Sequence, residues 1–252
     1  DHDQLTAALV TAGTKVEAGT ATVTMNDANG TAVAATELSA IGGATTGTVT
    51  VSNAVDITGD HDQVTAALIT AGTKVEVTAA TVTINDAAET AVAATELSAI
   101  GGATTGTVTV SNAVVITGDH DQLTAALVTA GTKVTAATAL VTINDAAETA
   151  VAATELSAIG GATTGTVTVS NAIAITGDHD QVTAALVTSG TNVAVTDATV
   201  TINDANGTGI TAAELSAIGG TTTGTVTVSN AVVITGDHDQ VTAALVTDAT
   251  KV

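Results

Sequence analysis

The string Asp-His-Asp-Gln opens at Asp1, Asp60, Asp119, Asp178 and Asp237, always at the same spacing of 59. The 252 residues therefore read as four copies, 1–59, 60–118, 119–177 and 178–236, with 237–252 beginning a fifth. Copies 60–118 and 119–177 differ at only nine positions, four of them consecutive at 76–79 against 135–138. A fixed period of this length marks a repeat architecture, in which each unit buries its apolar face on the next. Such an array offers the same surface again and again, whereas an enzyme needs one asymmetric site. Starting at a repeat boundary and stopping inside a fifth copy, the sequence reads as an excerpt of a longer repetitive chain forming one continuous solenoid.

Composition narrows what the repeat can build. Apolar residues make up 45%, yet there is no Phe, Tyr or Trp and a single Met. A core of Ala, Val, Ile and Leu suits thin, regular layers, because the side chains that bury the most area are missing. Cysteine and proline are absent too, so neither disulfides nor thiolate metal sites contribute. The net charge of −21, from 25 acids against four basic residues, repels nucleic acid and anionic membrane surfaces. No stretch approaches 18 continuous apolar residues, so membrane insertion is not expected.

Inside the repeat, two similar halves are visible. The first runs from a helix-like segment at 62–72 to an alternating segment at 81–86. The second runs from 95–102 to 107–112. Leu68 and Leu97 are 29 apart and Leu97 and Leu127 are 30 apart, which predicts a coil length of 29–30 and two coils per repeat. An aspartate cap, acids in the first turn and Val64, Ala67 and Leu68 at helical spacing predict the first helix. Gly72 and the Gly101-Gly102 pair supply the stops. From Thr107 to Gly118 the β-branched residues alternate, with Val108, Val110, Asn112, Val114 and Ile116 on one face. The expected fold is α/β: a repeat solenoid with a parallel β-sheet on one side and short helices on the other. One polar residue falls on the inward face of every strand, at Asp27, Asn53, Asp86, Asn112, Asp145, Asn171, Asp204 and Asn230. In a solenoid these would stack at one corner and hydrogen-bond the backbone of neighbouring coils, or simply end each strand as turn formers.

Three constellations carry some chemistry. All five histidines lie in Asp-His-Asp, which reads either as a polar helix cap or as a cation site. In the second reading calcium on Asp60, Asp62, Asp119, Asp121, Asp178 and Asp180 is favoured over zinc on histidine, because zinc needs three or four converging ligands. The turns 26–31 and 203–208 look faintly like calcium loops but lack the bidentate Glu. Thr-x-Thr recurs at 22/24, 48/50, 81/83, 107/109 and beyond. Stacked at the roughly 4.8 Å spacing of a sheet, these threonines resemble the faces of ice-binding β-solenoids. No nucleophile elbow, catalytic triad spacing or phosphate loop is present, so no enzymatic activity is expected.

The strings at 96–110 and 57–68 resemble repeats of long acidic Thr/Ala/Val/Gly-rich surface or secreted proteins of cyanobacteria and other aquatic bacteria, of the adhesin or matrix-fibre type. The resemblance implies an extracellular or cell-surface structural protein that self-associates end to end or laterally into filaments. It also implies calcium as the one candidate cofactor. A calcium-stiffened adhesin stalk and ice binding are the alternatives.

Overall fold

The computed structural model describes residues 1–13, 16–131, 133–249 and 252. The protein is α/β, with short helices alternating with strands that pair only in parallel. It divides into two compact units, one of residues 1–114 with 125–136 and one of 115–124 with 137–252.

Local sequence accounts for each element. In the helix His61–Leu68, the Asp60 side chain accepts from the Gln63 amide at 2.8 Å, and Gln63 Oε1 accepts from the Asp60 amide at 3.2 Å. Two N-terminal amides are thus satisfied reciprocally. Val64 and Ala67 face inward. The helix Ala94–Gly102 follows the strand Ala91–Ala93 without a linking turn and buries Ala94, Leu97, Ile100 and Gly101. In the strands Thr81–Ile84 and Val108–Val110 the valines and isoleucine are buried, while Thr81 and Thr109 are exposed. The fully buried side chains are aliphatic, Met25, Leu38, Ile57 and Ile84 among them.

In the first unit the strands form two stacks. Val23–Met25, Val49–Val51 and Val75–Val77 pair in turn. So do Ala32–Ala34, Asp56–Gly59, Thr81–Ile84, Val108–Val110 and Val134–Thr135. The helices Ala35–Gly43 and His61–Leu68 pack on each other. With the contiguous helical segments His120–Leu123 and Thr124–Val128 taken as one element, every one of these neighbours is the third element further along the chain. The partners Val33 and Ile57, Ile57 and Val82, and Val82 and Val108 show the spacing, which runs from 24 to 26.

The second unit obeys the same rule. Val115–Gly118, Leu140–Ile143, Val167–Val169 and Val193–Ala194 form one stack. Ala150–Ala152, Ala174–Gly177, Thr199–Ile202 and Val226–Val228 form another, and Gly209–Thr211 pairs with Val233–Thr235. The helices Ala153–Gly161 and His179–Leu186 pack together, as do Ala212–Gly219 and His238–Leu245.

This corrects the expected coil. One turn holds three elements and advances the chain by 24 to 26 rather than 29–30, so the repeat is not two turns. From Val49–Val51 to its counterpart Val108–Val110 the chain advances by seven elements, and seven is not a multiple of three. The counterparts consequently occupy different stacks: Val49–Val51 lies in the first and Val108–Val110 in the second. Val167–Val169 and Val226–Val228 are displaced in the same way in the second unit. Within each unit the later copy is offset from the earlier by one side of the turn.

Candidate functional site

The offset decides how the polar residues meet. Asp86 lies two residues beyond the strand Thr81–Ile84 and is only 5% exposed. Its Oδ1 is 2.6 Å from His61 Nδ1, its Oδ2 accepts from the His61 amide at 2.8 Å, and its carbonyl accepts from Asn112 Nδ2 at 2.6 Å. Three successive turns are thereby tied at one corner, with sequence separations of 25 and 26. The arrangement recurs as His2–Asp27–Asn53, His120–Asp145–Asn171 and His179–Asp204–Asn230. The aspartates and asparagines do bond neighbouring backbone, but only the aspartates are inward: Asp27, Asp86, Asp145 and Asp204 are buried, whereas Asn112, Asn171 and Asn230 are exposed. They bond in sets of three residues rather than as one continuous ladder, because the next repeat of the same unit places its set at a different corner.

Because a carboxylate only accepts, Nδ1 of each of these histidines carries the proton, and Nε2 faces the other way. His61 Nε2 stands 3.7 Å from Asp62 Oδ1, beyond hydrogen-bond reach. Glu96 completes the group: one donor atom from each of His61, Asp62 and Glu96 falls within 4.8 Å of the others. His2, Asp3 and Glu37 form the same cluster, as do His120, Asp121 and Glu155. Burial alone would lower the pKa of His61. The hydrogen bond and charge of Asp86, with the charges of Asp62 and Glu96, outweigh it and hold the pKa above its ordinary value. His120 and His179 are raised for the same reasons.

Of the aspartates singled out from sequence, Asp60, Asp119 and Asp178 are helix caps, each accepting at 2.8 Å from the amide of Gln63, Gln122 or Gln181. Asp62 and Asp121 belong to the clusters, and Asp180 stands 3.5 Å from His179 Nε2. Sequence reasoning missed Asp86 as the partner of His61 and Glu96 as the third member of its cluster. The available signal was a constant separation from the histidine to each of them, but in a strict repeat every separation is constant.

The turn 26–31 uses Asn29 Oδ1 to accept from the Ala54 amide at 3.1 Å, and Asn206 does the same for Ala231. These side chains serve the backbone. The outward threonines form single files: Thr58, Thr83, Thr109 and Thr135 in the first unit, and Thr117, Thr142 and Thr168 and also Thr176, Thr201 and Thr227 in the second. The parallel file beside each is broken, by Asp56 beside Thr81, by Val115 and Leu140, and by Ala174 beside Thr199. Searches for a matching family model, for similar curated proteins and for similar solved structures find no match.

Proposed function

We propose that the chain is a structural protein of an extracellular fibre or surface matrix, and that it works by stacking of solenoid turns. The observation that carries this reading is that the strands pair with those one turn before and one turn after them along the chain, so that no repeat closes on itself. The likeness of the repeat strings to long acidic surface proteins supports the same reading. With a net charge of −21, copies repel one another in dilute salt, so association strengthens as salt screens the surface.

Electron microscopy and light scattering of the concentrated chain, in low and in physiological salt, test the proposal. Filaments or lateral arrays that grow with ionic strength are expected. Monodisperse single chains under every condition would overturn it.

A further inference from the structure

We propose that His61, Asp62 and Glu96 form a binding site for a divalent transition metal of the zinc type, and that His2, Asp3 and Glu37 and His120, Asp121 and Glu155 form two more. The argument starts from the buried Asp86, which takes both the ring N–H at Nδ1 and the amide of His61. The tautomer and the ring plane are thereby fixed, with Nε2 as the atom that bears the lone pair. A carboxylate behind a histidine is the usual support for a metal-ligating imidazole. In front of Nε2 stand two more acceptors, Asp62, whose Oδ1 is 3.7 Å away, and Glu96, whose Oε2 also accepts from the Ala93 amide at 3.4 Å. Three acceptors converging on one point repel each other unless a proton on Nε2 or a metal cation lies among them.

The donor set selects the ion. One imidazole nitrogen with two carboxylates suits zinc and its neighbours in the first transition row, whereas calcium takes six to eight oxygens and no imidazole. At metal–ligand distances of about 2.0–2.2 Å the donors come closer than the 4.8 Å within which they now lie. Asp62 is free to make that movement, since its side chain is 84% exposed, and Glu96 is half-buried. Three protein ligands leave a fourth position for water.

The fourth copy carries an internal control. Where the other copies have Ala34, Ala93 or Ala152 before the helix, it has Thr211, whose hydroxyl donates to Glu214 Oε2 at 2.7 Å. That bond holds Glu214 to Thr211, and His179, Asp180 and Glu214 do not converge as the other three sets do. Zinc titration by calorimetry, on the untagged full chain after chelation, should saturate near three ions per chain, with a large excess of calcium failing to displace them. His120→Gln should remove one ion, and Thr211→Ala should add one. Because the second substitution gains a site, its result does not depend on a variant that unfolds. Absence of zinc binding at micromolar metal, a stoichiometry unmoved by both substitutions, or equal competition by calcium would each overturn the proposal.

Discussion

A single buried carboxylate organises each corner. Asp86 takes two N–H groups of His61 and lends its own carbonyl to Asn112, so one side chain joins three turns. Its charge also makes the fold responsive to pH. His61, His120 and His179 hold their protons more tightly in the folded protein than in the unfolded chain. The stability this contributes is complete below the unfolded pKa of about 6.5 and is lost as pH rises through the higher folded value. In chelator-containing buffer the melting temperature should therefore fall as pH rises from about 6.5, and replacing all three histidines by Gln should flatten that slope. A wild-type slope that the triple variant keeps would exclude these histidines as its source. A second residue-scale feature lies in the turns. Gly30 and Gly207 sit at φ +74° and +83°, but the equivalent positions in the middle copies hold Glu89 and Glu148, both at φ +65°. A side chain in the left-handed region costs about 1–2 kcal/mol, and glycine returns part of that as unfolded-state entropy. Glu89→Gly should accordingly stabilise the chain by about 0.5–1 kcal/mol in urea unfolding, and a loss of stability would contradict the strain.

At the scale of elements, close approach between successive turns matters as much as apolar burial. A Cβ on Gly106 would collide with the Ala80 carbonyl oxygen, whereas one on Gly102 would meet nothing within 4 Å. Gly106→Ala should cost about 2 kcal/mol or more, while Gly102→Ala at the end of its helix should be neutral or stabilising by up to about 1 kcal/mol. Equal effects in thermal melts would mean that the two turns do not approach as described. Some elements are plain in the sequence and others are not, for physical reasons. The capped helix is legible because Asp60 and Gln63 announce it and Val64 and Ala67 set its face. The alternation from Val108 to Ile116 marks Val108, Val110, Val114 and Ile116 as buried, but Asn112, expected on the same face, is exposed, because the segment bends after Val110 and resumes at Val115. Two short strands leave no such trace. Ala91–Ala93 runs straight into a helix and shares its alanine-rich composition, and Val75–Val77 falls largely in the variable stretch 76–79, where no pattern repeats. A subtler distinction also lies beyond pattern reading. The copies with Leu5 and Leu123 widen into a π-helical turn over Thr6–Val10 and Thr124–Val128, while those with Val64, Val182 and Val241 stay α-helical.

The two hidden strands explain the misjudged winding of the molecule. The half-repeat spacing of 29–30 is an average: the helices His61–Leu68 and Ala94–Gly102 enclose three strands, but only two follow before the next helix begins at His120. Counting from leucine to leucine across helices averages these unequal halves, whereas the strands stack at the spacing of one turn. The genetic period and the physical period are thus incommensurate, and identical copies acquire different neighbours. A chain of identical repeats would otherwise bring like strands together, with the risk of slipping by a whole repeat. Here the strand Thr81–Ile84 lies between Asp56–Gly59 and Val108–Val110, two segments from other positions of the repeat rather than its own counterparts. The chain has no cysteine, so engineered pairs can measure the winding directly. Thr83 and Thr109 are register partners on adjacent parallel strands, as are Thr142 and Thr168 in the second unit. Side by side in a sheet, such residues fall within the Cα separation a disulfide spans. Thr83→Cys with Thr109→Cys should form an intrachain bridge under mild oxidation, visible by mass spectrometry, and should raise stability by about 2–4 kcal/mol. Thr83→Cys with Asn112→Cys, the pair that the longer coil would bring together, should remain reduced. Bridging of the second pair in preference to the first would restore the two-coil repeat and dissolve the three-element turn.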